Sequence, residues 1–214
     1  MSTQHLGLWS KIISDGQSQE WLSLAMHHAA HILSDMVKRS IKIHTLRTEI
    51  VPLNELTLVA SDPEAETLGV YLSIGDDLPG QAMLMLSLDD AMYLADWLLE
   101  LRPGTTTQLG QLEYSALAEA GNVMLSSFLN ALAEISQSPL RLSPPAVTVD
   151  MLATILQVVT TSVGAVTDEL LIIKTDLKDD HDSIWLQFWV LPDPAILKTL
   201  NRSKISRVLT TLEI

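Results

Sequence analysis

Ser115, Glu119, Asn122, Ser126 and Asn130 follow one another at intervals of four, three, four and four residues. A helix through them carries all five on one face. That face joins a carboxylate to a carboxamide three residues on. A carboxamide both donates and accepts hydrogen bonds and stays neutral at every working pH. Leu117, Ala120, Met124, Phe128, Leu132 and Ile135 form the opposing apolar stripe. By spacing alone, the polar stripe reads as the solvated face of a core helix. The chain has no cysteine, which excludes a thiolate nucleophile, thiolate metal sites and disulfides.

Other chemistry-bearing groups have structural readings. His27, His28 and His31 have helical spacing that can hold a metal. No further ligand set accompanies them, so no metal is expected. Asp179-Asp180-His181-Asp182 lacks the spaced-oxygen pattern of a calcium loop and reads as an acidic hairpin tip. Gly75 to Gly80 contains glycines but no following helix start or Lys-Ser/Thr, so it is not a phosphate-binding loop. Trp185 and Trp189 alternate with Ile184, Leu186 and Phe188 in a strand pattern, and core packing is expected for both.

The elements that must position the polar stripe are legible as a repeating order. An amphipathic helix is expected from about Gln17 to Lys38, with Ala25, Ala29, Ile32, Leu33 and Met36 in period. Strands are expected at Ile41–Val51 and Leu56–Ala60, then a hairpin of Val70–Ile74 and Ala82–Leu88 across the Gly75–Gly80 turn. Asp89 and Asp90 open a helix at Ala91–Leu101, and Arg102–Thr107 is a connector. The order then recurs: a long helix at about Leu109–Ile135, a strand near Leu140–Val149, and a helix at Met151–Val163. A second hairpin pairs Leu170–Asp176 with Ile184–Leu191, and Asp193 and Pro194 open a short helix. The segments Leu33–Val37 and Leu129–Ala133 are alike, as are Gln81–Ala91 and Ser183–Ala195, which points to an internal duplication.

With 214 residues, 47% hydrophobic and 18% charged, the chain can bury a sizeable core. Its net charge of −13 argues against nucleic acid and against an anionic membrane surface. Met1 to Ser10 lacks a basic region followed by an apolar run, so no signal peptide is expected. The apolar stretch Met151–Val166 is interrupted by polar residues and shorter than the ~20 residues of a membrane span. A cytoplasmic location is therefore expected.

A longer pattern bears on the polar stripe: Ser115, three residues, Glu119, two residues, Asn122, twenty-one residues, Pro144. It resembles the signature of the CheC/CheX/FliY phosphatases of chemotaxis, in which Asp or Ser, Glu, Asn and Pro stand at these intervals. Ala118-Glu119-Ala120-Gly121-Asn122, Ser143-Pro144-Pro145-Ala146-Val147 and Asp150-Met151-Leu152 are similar to that family, as are His28–Ser34 and Val51-Pro52-Leu53. The resemblance spans roughly Glu20 to Leu200. It implies an α/β (α+β) two-layer sandwich: a mostly antiparallel sheet with two pseudo-symmetric long helices on one face. Residues 1–214 would be one domain, with pseudo-repeat halves at 17–102 and 109–200.

The resemblance also implies a reaction. The substrate would be the aspartyl phosphate of a CheY-like response regulator, which carries its own Mg²⁺, and this chain would need no cofactor. Asn122 would hold the attacking water, Glu119 would pair with a lysine of the regulator, and Ser115 and Pro144 would complete the motif. The same alignment puts Glu20 at the Glu position of the first half, Ser23 at the Asn position and Gly16 where Asp or Ser is expected. One working site and a degenerate second one follow. The deamidase CheD and flagellar-switch proteins are the further partners implied. The alternative to an enzyme is a non-catalytic module binding a phosphorylated regulator or one of these partners.

Overall fold

Two long amphipathic helices form because their apolar residues recur every three or four positions. In α1 (Gly16–Val37), Leu22, Ala25, Met26, Ala29, Ala30, Leu33 and Val37 are buried. In the long helix α3 (Gln111–Ser136), Leu117, Ala120, Met124 and Phe128 are buried, with Leu125 and Leu129 beside them. The two lie side by side. The computed structural model describes residues 16–56, 62–75, 80–136, 141–163 and 169–191.

Six strands form one sheet: β1 (Lys42–Pro52), β2 (Glu66–Ile74), β3 (Gly80–Ser87), β4 (Ala146–Met151), β5 (Glu169–Lys178) and β6 (Ser183–Leu191). Their order is β1-β5-β6-β3-β2-β4, and every neighbouring pair is antiparallel. Exchanging β1 with β4, β2 with β5 and β3 with β6 returns the same order read from the other edge. Both expected hairpins are present, closing at Ile74↔Gly80 and Lys178↔Ser183.

Alternation along the strands sends one set of side chains to each face. Leu68, Val70, Leu72, Leu84, Leu86, Leu171, Ile173, Phe188 and Val190 meet α1, α3 and the shorter helix α2 (Leu88–Leu98). Met83, Met85, Leu170, Ile172, Trp189 and Leu191 meet α4 (Leu152–Val163) on the opposite face. The stretch expected as a core helix therefore covers the second face.

Three expectations are corrected. Leu53–Glu55 form a 3₁₀ turn and Leu56 continues in right-handed helical conformation, so no strand begins at Leu56; residues 57–60 lie outside those described. The strand expected from Leu140 starts only at Ala146, apart from one bridge between Leu142 and Ile74, because Pro144 and Pro145 have no N–H to continue the ladder. Trp185 is 51% exposed whereas Trp189 is 3% exposed. The 12 residues of α4 cover one end of the second face, and Trp185 lies beyond that end. It lines an open cavity of about 280 Å³ with Arg47, Lys174 and Gln187. The short helix expected at Asp193 and Pro194 lies outside the described residues.

Candidate active site

The polar stripe is placed by a close contact between helix and sheet. A Cβ on Gly121 would stand 2.8 Å from the Cβ, Cγ1 and Cγ2 of Val70. No side chain larger than hydrogen fits there without movement, so α3 rests on β2 at that residue. Asn122 follows directly and is half-buried, while Glu119 and Ser115 are exposed. The Ser126 hydroxyl donates to Asn122 Oδ1 at 3.4 Å. That bond turns the amide oxygen along the helix and leaves its NH₂ group and one oxygen lone pair for an outside partner. The Ser115 hydroxyl donates to the carbonyl of Gln111 at 2.8 Å, one turn back on the same helix.

The start of α3 is pinned from two sides. Glu113 accepts from the N–H of Gly110 at 2.9 Å, one arm of a capping box. Asp96, fully buried in α2, accepts from the N–H groups of Thr105 and Thr106, each at 2.9 Å, and from the Thr106 hydroxyl at 2.6 Å. Three bonds on one carboxylate satisfy a group that would otherwise be costly to bury. They hold the connector that feeds α3. Sequence reasoning missed Asp96, because an aspartate inside an apolar helix pattern carries no periodic signal. It also gave no role to Gly121 or Ser126.

Pro144 is exposed and precedes β4. Its neighbour Ser143 closes the end of the sheet. The N–H of Ser143 donates to the carbonyl of Ser73 at 3.0 Å, and the N–H of Ser73 donates to the Ser143 hydroxyl at 3.0 Å. β4 pairs with β2 through Val147↔Val70, and Val70 is the residue on which Gly121 sits. α3 at Gly121 and the approach to β4 at Ser143 thus meet the same strand, β2, at Val70 and at Ser73.

In the first half, Glu20 is exposed and Ser23 half-buried on α1, which begins at Gly16. His27, His28 and His31 are all exposed, and His31 Nε2 lies 3.9 Å from Asp35 Oδ2. Among the described residues no three His, Asp or Glu side chains converge on a metal-sized site. The acidic loop is the β5–β6 tip, where Asp179 accepts from the N–H groups of His181 at 2.8 Å and Asp182 at 2.7 Å and from Arg39 Nη1 at 3.0 Å. Burial works against the charged carboxyl, but these donors and the guanidinium charge outweigh it and hold the Asp179 pKa below the ordinary aspartate value. Arg39 follows α1, so this pair ties the end of α1 to the tip.

Among the described residues no helix is long and apolar enough to cross a membrane. Residues 112–149 match the model of the CheC-like family. The chain is 22% identical over 170 residues to the CheY-P phosphatase CheC of Bacillus subtilis (strain 168), covering 78% of this chain and 81% of that protein. Its fold is similar to that of FliY from Thermotoga maritima, with a TM-score of 0.62, 22% identity, and 83% of this chain and 88% of that one covered. It is also similar to the FliM middle domain from H. pylori, with a TM-score of 0.58, 13% identity, and 93% and 99% covered.

Proposed function

We propose that this chain, which matches the CheC-like family model over residues 112–149, is a member of that family and hydrolyses the aspartyl phosphate of a CheY-like response regulator. What supports the reading is the Glu119/Asn122 pair on the outward stripe of α3, with Asn122 next to Gly121, where the helix backbone comes close to the sheet. Ser115, Glu119, Asn122 and Pro144 all fall inside the family-matched stretch 112–149.

The proposed mechanism asks little covalent chemistry of this chain. An acyl phosphate already has a good leaving group, and Mg²⁺ belongs to the regulator. The remaining barrier is lowered by aligning a water with the phosphorus and excluding misaligned ones. The exposed Glu119 carboxylate docks by pairing with a lysine beside the regulator's phosphorylated aspartate. That docking brings the Asn122 amide to the phosphoryl group. The amide accepts from the water with its free lone pair, and its NH₂ group fixes the amide plane against the regulator. Ser126 sets which way the amide faces.

The two halves, 17–102 and 109–200, act as a duplicated scaffold in one cytoplasmic domain, a reading supported by the symmetric strand order. Ser23 cannot do what Asn122 does. Its hydroxyl is shorter, and it offers no donor and acceptor in one plane. A single working site follows. The second reading is a binding module for a phosphorylated regulator, a flagellar-switch protein or CheD. The FliM-like fold and the degenerate first half favour it. An assay separates the two: the chain is mixed with phosphorylated CheY-like regulators of its own organism, and phosphate loss is compared with the regulator alone. Acceleration supports the phosphatase; binding with no acceleration supports the module.

A further inference from the structure

We propose that Leu112 is the apolar anchor by which the phosphorylated regulator is held against α3; this rests on the phosphatase reading. Leu112 is 64% exposed, although it is a leucine on a helix whose Leu117, Leu125 and Leu129 are buried. It is three residues before Ser115, seven before Glu119 and ten before Asn122, so it continues their face by one more turn. Its Cα stands roughly 10 Å along the axis from that of Glu119. Ala116 and Val123, both half-buried, extend it into an apolar seam beside the polar stripe.

Local structure does not account for this leucine. In the capping box at the start of α3 the contacts belong to Gly110 and Glu113, and the hydrophobic position before the helix is Leu109, which packs on the core. Leu112 takes part in neither.

Charge explains why such an anchor is needed. A phosphorylated substrate is anionic and this chain carries −13. α3 contains no Lys or Arg to attract a phosphate. Long-range steering therefore does not help a phosphoryl group approach, and the exposed Glu119 ion pair, worth only about 1 kcal/mol, needs short-range apolar contact beside it. The partner that fits has an apolar patch about two helical turns from its phosphorylated carboxylate. Fully burying a leucine side chain stabilises by about 1.5–3 kcal/mol, and 1.4 kcal/mol is tenfold in affinity.

The test is a titration of the full chain with the regulator activated by beryllofluoride, which needs no turnover. Leu112→Ala is expected to weaken Kd about tenfold, Leu112→Glu to weaken it further, and Leu112→Met to stay within about threefold of wild type. Because Leu112 is exposed, unfolding midpoints should not move. Unchanged Kd in both Leu112→Ala and Leu112→Glu overturns the anchor. So does Leu112→Glu splitting a self-associated form of this chain with Kd unchanged, since the leucine then serves a second copy. Asn122→Ala, run alongside for turnover, separates the two claims. Normal turnover there defeats the phosphatase reading whatever Leu112 does, and lost turnover with unchanged Leu112 affinities defeats only the anchor.

Discussion

Gly121→Ala adds one carbon at the point where α3 touches the sheet. That carbon would meet three atoms of Val70 at 2.8 Å, while ordinary contacts begin at 3.4 Å. Relief requires α3 and β2 to part by roughly 0.6–1 Å, because Val70 is fully buried and flanked by Leu84 and Val147 in the sheet. Overpacking of this kind costs about 1–3 kcal/mol, and replacing a mid-helix glycine by alanine returns about 1 kcal/mol through helix propensity. The net stability loss is therefore expected to be only about 0–2 kcal/mol. Activity should suffer more. Asn122 is the next residue, so a lift of this size moves the amide relative to Glu119's docking contact. Misplacement by about 1 Å can cost about a hundredfold in rate. The assay pairs regulator dephosphorylation with denaturant unfolding. The expected result is a fold near wild-type stability with turnover down about tenfold to a hundredfold. Val70→Gly in the same chain removes all three clashing atoms and should restore most of the turnover. Full turnover in Gly121→Ala, or no recovery in the double variant, would refute the view that helix–sheet approach sets the site.

Asp179 should give stability a pH signature. Its folded pKa lies below the unfolded value, so its contribution is present above about pH 4 and disappears as pH falls through the folded pKa. Asp179→Asn should then lower unfolding free energy by about 1–3 kcal/mol at pH 7 and by much less near pH 2, as read by urea unfolding at the two pH values. In the first half, Glu20→Ala should leave turnover nearly intact, whereas Ser23→Asn should raise it, by at most about twofold, in the dephosphorylation assay. A Glu20→Ala variant as inactive as one lacking Asn122 would end the one-site view.

The helices, both hairpins and the recurring order were legible because each rests on local periodicity or turn chemistry. α1 and α3 begin and end within about two residues of their expected bounds, since a wide apolar stripe fixes a helix whatever it packs against. Trp185 was misread for the opposite reason. Alternation tells which face of a strand a residue points to, but not how far a covering helix extends over that face, and α4 stops short of it. Leu56 looked like a strand because apolar residues adjoin it, yet the turn at Leu53–Glu55 had already put the backbone in helical conformation. For the site, spacing alone brought Glu119 and Asn122 to one face. The supports were not legible. Asp96 acts on Thr105 and Thr106, which only the folded connector brings to it, and Gly121 matters because of Val70, fifty-one residues earlier in the chain.

The central claim is that Asn122 positions the hydrolytic water. Its most direct test is the single-turnover rate of phosphate loss from the phosphorylated regulator with saturating wild-type or Asn122→Ala protein, with binding measured on the same samples. Asn122 is half-buried on a polar stripe, so the substitution should spare the fold. The account predicts that the variant still binds and that the rate falls to that of the regulator alone. A variant that binds and keeps most of the wild-type rate would contradict it.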